Sequence, residues 1–119
     1  MNLLNCTRRV ISVLALAFTG MLATGSAQAS GPTTTTLAHV LVWSAGNLVY
    51  VYPTGGITGG PACGMTHPYY SFSYSRPMAA AYLAALLAAQ ARGATVTIYA
   101  TGMCTDESYS ETLDYFDVS

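Results

Sequence analysis

From Leu37 to Trp43 the chain is almost continuously apolar and rich in β-branched or aromatic residues, and Leu48-Val49-Tyr50-Val51-Tyr52 repeats that character after Ser44-Ala45-Gly46-Asn47. Gly46-Asn47 tolerates the positive φ angles of a tight turn, so the two runs predict an antiparallel hairpin. Pro53 ends its second strand, having no N–H to give to a ladder. Residues 69–75 (YYSFSYS) alternate strictly, with Tyr70, Phe72 and Tyr74 on one face and Ser71, Ser73 and Ser75 on the other, which predicts a third strand. Ser75 is placed to cap the helix that follows, with Pro77 in its first turn. Residues 78–91 are mostly alanine and leucine with no β-branched residue, and Met78, Tyr82, Leu83, Leu86, Leu87 and Gln90 form a stripe at helical spacing. Arg92-Gly93 ends the helix, the arginine near the negative end of the dipole and the glycine at the left-handed cap. Residues 94–101 return to alternation, with Val96, Ile98 and Ala100 inward and Thr95, Thr97 and Tyr99 outward; residues 111–118 form a last strand. The order is mostly β with one helix between strands 3 and 4, the outline of a five-stranded OB-like barrel or a curled antiparallel sheet.

The segments outside this pattern have their own chemistry. Arg8 and Arg9 precede an apolar run over residues 10–23, and Ala27-Gln28-Ala29 supplies a small-x-small motif, so residues 1–29 read as an export signal cut before Ser30. The run is shorter than the roughly 18 to 20 apolar residues that span a bilayer, which implies no membrane anchor in the mature protein and a periplasmic or secreted destination. Residues 30–36, with four threonines, read as a flexible leader to a single domain at 37–119. The glycine-rich stretch 54–68 reads as a loop long enough to be functional or mobile.

Cleavage leaves 90 of the 119 residues, a size at which a hydrophobic core is a marginal source of stability. The two remaining cysteines, Cys63 and Cys104, are expected to form a disulfide in an oxidising compartment. Closing that loop contributes about 4 kcal/mol in the chain-entropy picture. The alternative for the same atoms is a metal site from the Cys63-x-x-x-His67 spacing, but zinc sites bring paired elements and these are missing; no metal and no cofactor are expected.

The mature segment has no lysine, and Arg76 and Arg92 stand against Asp106, Glu107, Glu111, Asp114 and Asp117, a formal charge of −3. Such a chain lacks the basic footprint of a nucleic-acid binder or of a protein drawn to anionic membranes. The five acids read as a solvated end of the chain. No serine–histidine–acid set, carboxylate pair or phosphate loop can be assembled, and His39 and His67 read as structural, so a non-enzymatic role is expected. Nine tyrosines and one tryptophan point instead to contact surfaces, since tyrosine combines apolar area with a hydroxyl. Tyr69, Tyr70 and Tyr99 are the candidate ligand-binding residues.

Ala62-Cys63-Gly64-Met65, the helix over residues 76–92, Gly93, and Val96-Thr97-Ile98-Tyr99 together resemble the receptor-binding B subunits of pentameric bacterial toxins of the subtilase-cytotoxin and pertussis-like kind. The similar part is about residues 62–101. The resemblance implies a five-stranded OB barrel, a homo-pentamer and recognition of sialylated glycans through a serine on an early strand and a tyrosine on the strand after the helix. That tyrosine falls on Ala100 here, and no motif before Cys63 places the serine. Two readings therefore stand: a B-subunit-like protein that binds a glycan or a host surface receptor, and a periplasmic structural or inhibitor-like module that binds protein and has no sugar site.

Overall fold

The computed structural model describes residues 28–119; the segment read as an export signal lies outside the described residues, apart from Gln28 and Ala29. The elements run β1 (Thr33–Thr35), β2 (Leu37–Trp43), β3 (Leu48–Pro53), β4 (Tyr70–Ser73), α1 (Ala79–Arg92), β5 (Val96–Ala100) and β6 (Glu111–Val118). The strands make one sheet in the order β1-β5-β6-β4-β3-β2. All pairings are antiparallel except β4 with β6, which is parallel, so the sheet is mixed rather than antiparallel throughout.

The two end strands of that order, β1 and β2, are separated in the chain only by Thr36. A sheet whose opposite ends are joined through one residue must curl, and the result is a curled half-barrel with the helix beside it. Counted as one strand bent at Thr36, β1 and β2 restore the expected five strands with the helix between the third and fourth; counted separately there are six. The leader is therefore not free: Thr33, Thr34 and Thr35 pair with Ile98, Thr97 and Val96. Threonine is β-branched and suits a pleated strand, but a run of it carries no alternation to announce one.

The core is filled from both ends of the chain by Val49, Val51, Tyr70, Phe72, Leu86, Ile98 and Leu113, all fully buried. Asn47 takes the left-handed conformation at φ 54°, closing the β2–β3 turn after a 3-10 segment at Ser44–Gly46. The helix starts later than its composition predicts. Met78 stands at the N-cap with φ 66° and no side-chain cap, while Ser75 accepts a hydrogen bond from the Asn47 side chain instead. Because Met78 lies outside the helix, Ala79 takes its place on the buried face with Leu86 and Ala89, and Met78 and Leu87 are exposed. Gly93 ends the helix at φ 63°, as expected, and its N–H reaches the carbonyl of Gln90.

A bulge breaks the β5–β6 register between Tyr99 and Ala100, which pair with Tyr115 and Leu113 and leave Asp114 unpaired. The carbonyl of Asp114 is satisfied by Arg76 Nη2 at 2.9 Å and by the Tyr82 hydroxyl at 3.2 Å. Arg76 also donates to the Leu113 carbonyl and lies over the Tyr82 ring at 5.1 Å. One arginine thus ties the start of α1 to β6.

Cys63 and Cys104 form the expected disulfide across 41 residues. Replacing both cysteines by serine should cost about 4 kcal/mol in urea denaturation if loop entropy dominates, and a loss under about 1 kcal/mol would show that the loop is held without it. At Gly93 nothing lies within 4 Å of an added Cβ, so substitution there tests backbone strain alone. Gly93→Val should cost about 1 kcal/mol or more and Gly93→Asn less, read from thermal melts.

Candidate functional site

Strand β3 sorts its side chains cleanly: Val49 and Val51 are fully buried, so Tyr50 and Tyr52 face outward. Pairing with β2 sets His39 opposite Tyr52, and the two rings stack with centroids 3.8 Å apart. Tyr69, the residue before β4, comes down between the two β3 tyrosines, 4.7 Å from Tyr50 and 4.9 Å from Tyr52. His67 meets Tyr69 edge-on at 5.4 Å and leads on to the exposed Tyr109 at 6.0 Å. At the other end Trp43, also exposed, lies 6.2 Å from Tyr50. The outcome is a continuous aromatic surface on the outer face of β2 and β3, where a solvated face would ordinarily carry polar side chains.

Tyr69 is its centre. Burial pushes its phenol up to about 12, and the Glu107 carboxylate and the hydroxyls of Tyr50 and Tyr52 push in the same direction. Tyr50 is raised as well, by burial first and then by Glu107 and Tyr52. Both hydroxyls therefore stay neutral and able to donate and accept. Glu107 and Tyr109 arrive from the loop before β6, where Glu107 Oε2 accepts from the Tyr109 amide at 3.1 Å. Beside His67 the glycine-rich loop leaves a cleft of about 200 Å³ lined by Ile57, Gly59, Gly64, Met65, Thr66 and Pro68. His67 Nδ1 shares a hydrogen bond with the Thr66 hydroxyl at 2.9 Å.

The three tyrosines singled out from sequence have three different fates. Tyr69 lies in the aromatic surface. Tyr70 is fully buried, one position further along, with its hydroxyl bonded to Ser30 Oγ at 3.0 Å and Thr33 Oγ1 at 2.8 Å, so it presents no ring to a ligand. Adjacent residues entering a strand face opposite sides, and the core claimed Tyr70. Burial raises its phenol, against the hydrogen bonds from Ser30 and Thr33, with the Glu111 charge adding to the rise. Tyr99 does face outward, but it stacks on Tyr115 at 4.4 Å, and β6 and β4 separate its strand from β3. Tyr69 and Tyr99 thus belong to two surfaces.

Sequence reasoning did not single out Tyr50, Tyr52 or Tyr109, and it read His39 and His67 as structural. The signal was present for the first two, because the alternation that buries Val49 and Val51 leaves tyrosine at both outward positions of β3. His67 and Tyr109 sit on separate loops with no periodicity. Cys63 is bonded to Cys104, so the Cys63-x-x-x-His67 spacing offers no free thiolate. The acids are not all solvated either: Glu111 is buried at 2% exposure.

No family model, no curated protein and no solved structure matches this chain. The site's meaning must come from its own geometry.

The raised Tyr69 phenol makes the fold sensitive to alkali. A folded-state value above the unfolded one means that its contribution is fully present below pH 10 and is lost as pH rises through about 12. Tyr69→Phe should therefore lose less thermal stability than the wild type between pH 9 and about pH 11.5. Equal losses would show that Tyr69 titrates like a free phenol.

Proposed function

We propose that this chain is an exported, non-enzymatic binding protein that takes an uncharged glycan on the aromatic surface around Tyr69. The observation that carries this reading is the ring contact of Tyr69 with Tyr50 and Tyr52 on an outward face. Sugar rings present C–H faces that pack on aromatic planes and hydroxyls that pair with phenols, and this surface offers both. Its charge argues against an anionic sugar. Glu107 stands beside the tyrosines, and Arg76 is committed to the Leu113 and Asp114 carbonyls. A glycan of the sialylated kind implied by the toxin resemblance would meet a carboxylate and no cation there.

Export is supported by the disulfide and by the signal-like first 29 residues, and no helix among the described residues is long and apolar enough to cross a membrane.

A second reading, a protein-binding module, is favoured by the β2 edge, which shares Trp43 with the aromatic surface. Leu41, Val42 and Trp43 are exposed on β2, at the end of the sheet order, beside a cleft of about 300 Å³ lined by Ser44, Asn47, Leu48, Tyr74 and Leu83. An apolar strand at a sheet edge is a surface that a partner strand can cover.

A glycan array probed with the mature protein separates the two. The glycan reading expects neutral sugars to bind, Tyr69→Ala to weaken binding about ten- to hundredfold with the circular dichroism unchanged, and Tyr99→Ala to leave it alone. An array with no binding, or binding that survives Tyr69→Ala, would transfer the function to the β2 edge.

A further inference from the structure

Glu111 is a buried carboxylate arranged as though for a cation that no side chain among the described residues supplies. It stands at the start of β6, beside Tyr70 in the parallel β4–β6 pairing. Its Oε1 accepts two backbone N–H groups, from Ser30 and from Gly102, each at 3.0 Å. Its Oε2 is buried with no hydrogen-bond partner among the described residues. Neither Arg76 nor Arg92 hydrogen-bonds it, and the hydroxyls of Tyr70, Ser30 and Thr33 bond one another. A buried carboxylate left half satisfied in this way is costly. The glycine-rich loop even makes room for it: a Cβ on Gly60 would stand 2.8 Å from Oε2 and 3.4 Å from the Ser30 nitrogen, and a Cβ on Gly64 would stand 3.0 Å from the Glu111 nitrogen.

The atom held on Oε1 is the nitrogen of the residue that signal cleavage would place first. Gln28 and Ala29 are exposed, Ser30 is buried at 4% exposure, and Gly31 and Pro32 beyond it are exposed again, so Ser30 is a single anchored residue directly after the peptide bond that the Ala27-Gln28-Ala29 motif marks for cutting. We propose that Glu111 is the built-in counter-ion of the mature N-terminus: hydrolysis of the Ala29–Ser30 bond turns the Ser30 amide into an α-ammonium, which forms a buried ion pair with the Glu111 carboxylate. Water is consumed in that step. The water oxygen bonds the Ala29 carbonyl carbon, which leaves with the signal as a carboxylate; the broken C–N bond leaves its electron pair on the Ser30 nitrogen, which takes up the two protons of the water and becomes an ammonium. Before the cut the nitrogen offers one N–H and no charge; after it, three N–H donors and a positive charge, enough to serve Oε2 as well as Oε1. Removing the signal and completing this end of the half-barrel become one event, and a chain still carrying its signal lacks the ion pair.

This inference rests on the export reading, and the chain's composition gives a direct test of it. There is no lysine anywhere in the sequence, so the α-amine is the only primary amine in the protein. The full chain is expressed with its own signal in a bacterial host, the exported product is sequenced from its N-terminus, and its acetylation by an N-hydroxysuccinimide ester is followed by intact mass. The expected product begins at Ser30, and its native amine reacts at least about tenfold more slowly than the same amine in denaturant, with Glu111→Gln abolishing most of that protection. Should Glu111→Gln fail to fold, wild type acetylated in denaturant and then refolded must melt below unmodified protein taken through the same cycle. A chain that is never processed defeats the export reading and the ion pair with it. A product cut at another bond defeats the ion pair while leaving export standing. A product that begins at Ser30 yet reacts freely in the native state, or melts unchanged after acetylation, overturns the ion pair alone.

Discussion

One end of this half-barrel is organised around the burial of a single carboxylate. Glu111 is the first residue of β6, and its side chain gathers backbone from three places far apart in the chain: Ser30 ahead of β1, Gly60 in the loop after β3, and Gly102 after β5. Hydrophobic burial fills the middle of the barrel without direction, but a carboxylate demands donors at defined positions, so it fixes where those segments end. The glycines follow from the same demand. At Gly60 and Gly64 a larger residue would strike Glu111, which explains two of the glycines of the loop by close approach.

The disulfide belongs to this arrangement. Cys63 sits beside Gly64 in the loop that lies over Glu111, and Cys104 sits two residues after Gly102, whose N–H serves the same carboxylate. The bond ties together the two loops that cover the acid. The segment leading to β6 is held further by Thr112, whose Oγ1 accepts from the Thr105 and Asp106 amides at 3.0 and 3.2 Å, while Asp106 caps the Ser73 amide at 2.7 Å. This loop also delivers Glu107 and Tyr109 to the edge of the aromatic surface, so the Glu111 end of the half-barrel and the outer face share one support.

That support holds the tyrosines of the outer face in fixed contact with one another. Side chains held in contact on a sheet lose less freedom on meeting a ligand than rings on free loops would. Tyr50 and Tyr52 are fixed by the alternation of β3, and Tyr69 is fixed because its neighbour Tyr70 is anchored in the core by Ser30 and Thr33. Burial of Tyr70 and presentation of Tyr69 are one geometric fact, since consecutive residues of an extended chain point to opposite sides.

Most of the secondary structure was legible in the sequence because it is set by local periodicity. The two strands of the hairpin, the alanine-rich helix with its Gly93 cap and the last strand at 111–118 all follow from side-chain spacing and turn chemistry, and with only two cysteines after residue 29 the disulfide follows by elimination. The tertiary structure decided whatever depended on a distant partner. Thr33–Thr35 becomes a strand only because β5 offers it an edge, and β4 and β6 run parallel only because the helix and β5 return the chain between them. Whether Tyr69 or Tyr70 enters the core, and whether Glu111 faces water or Ser30, is settled by contacts across 40 and 81 residues of sequence. Periodicity reports how a segment divides its faces; which face is buried, and against what, is fixed by the segments that close over it.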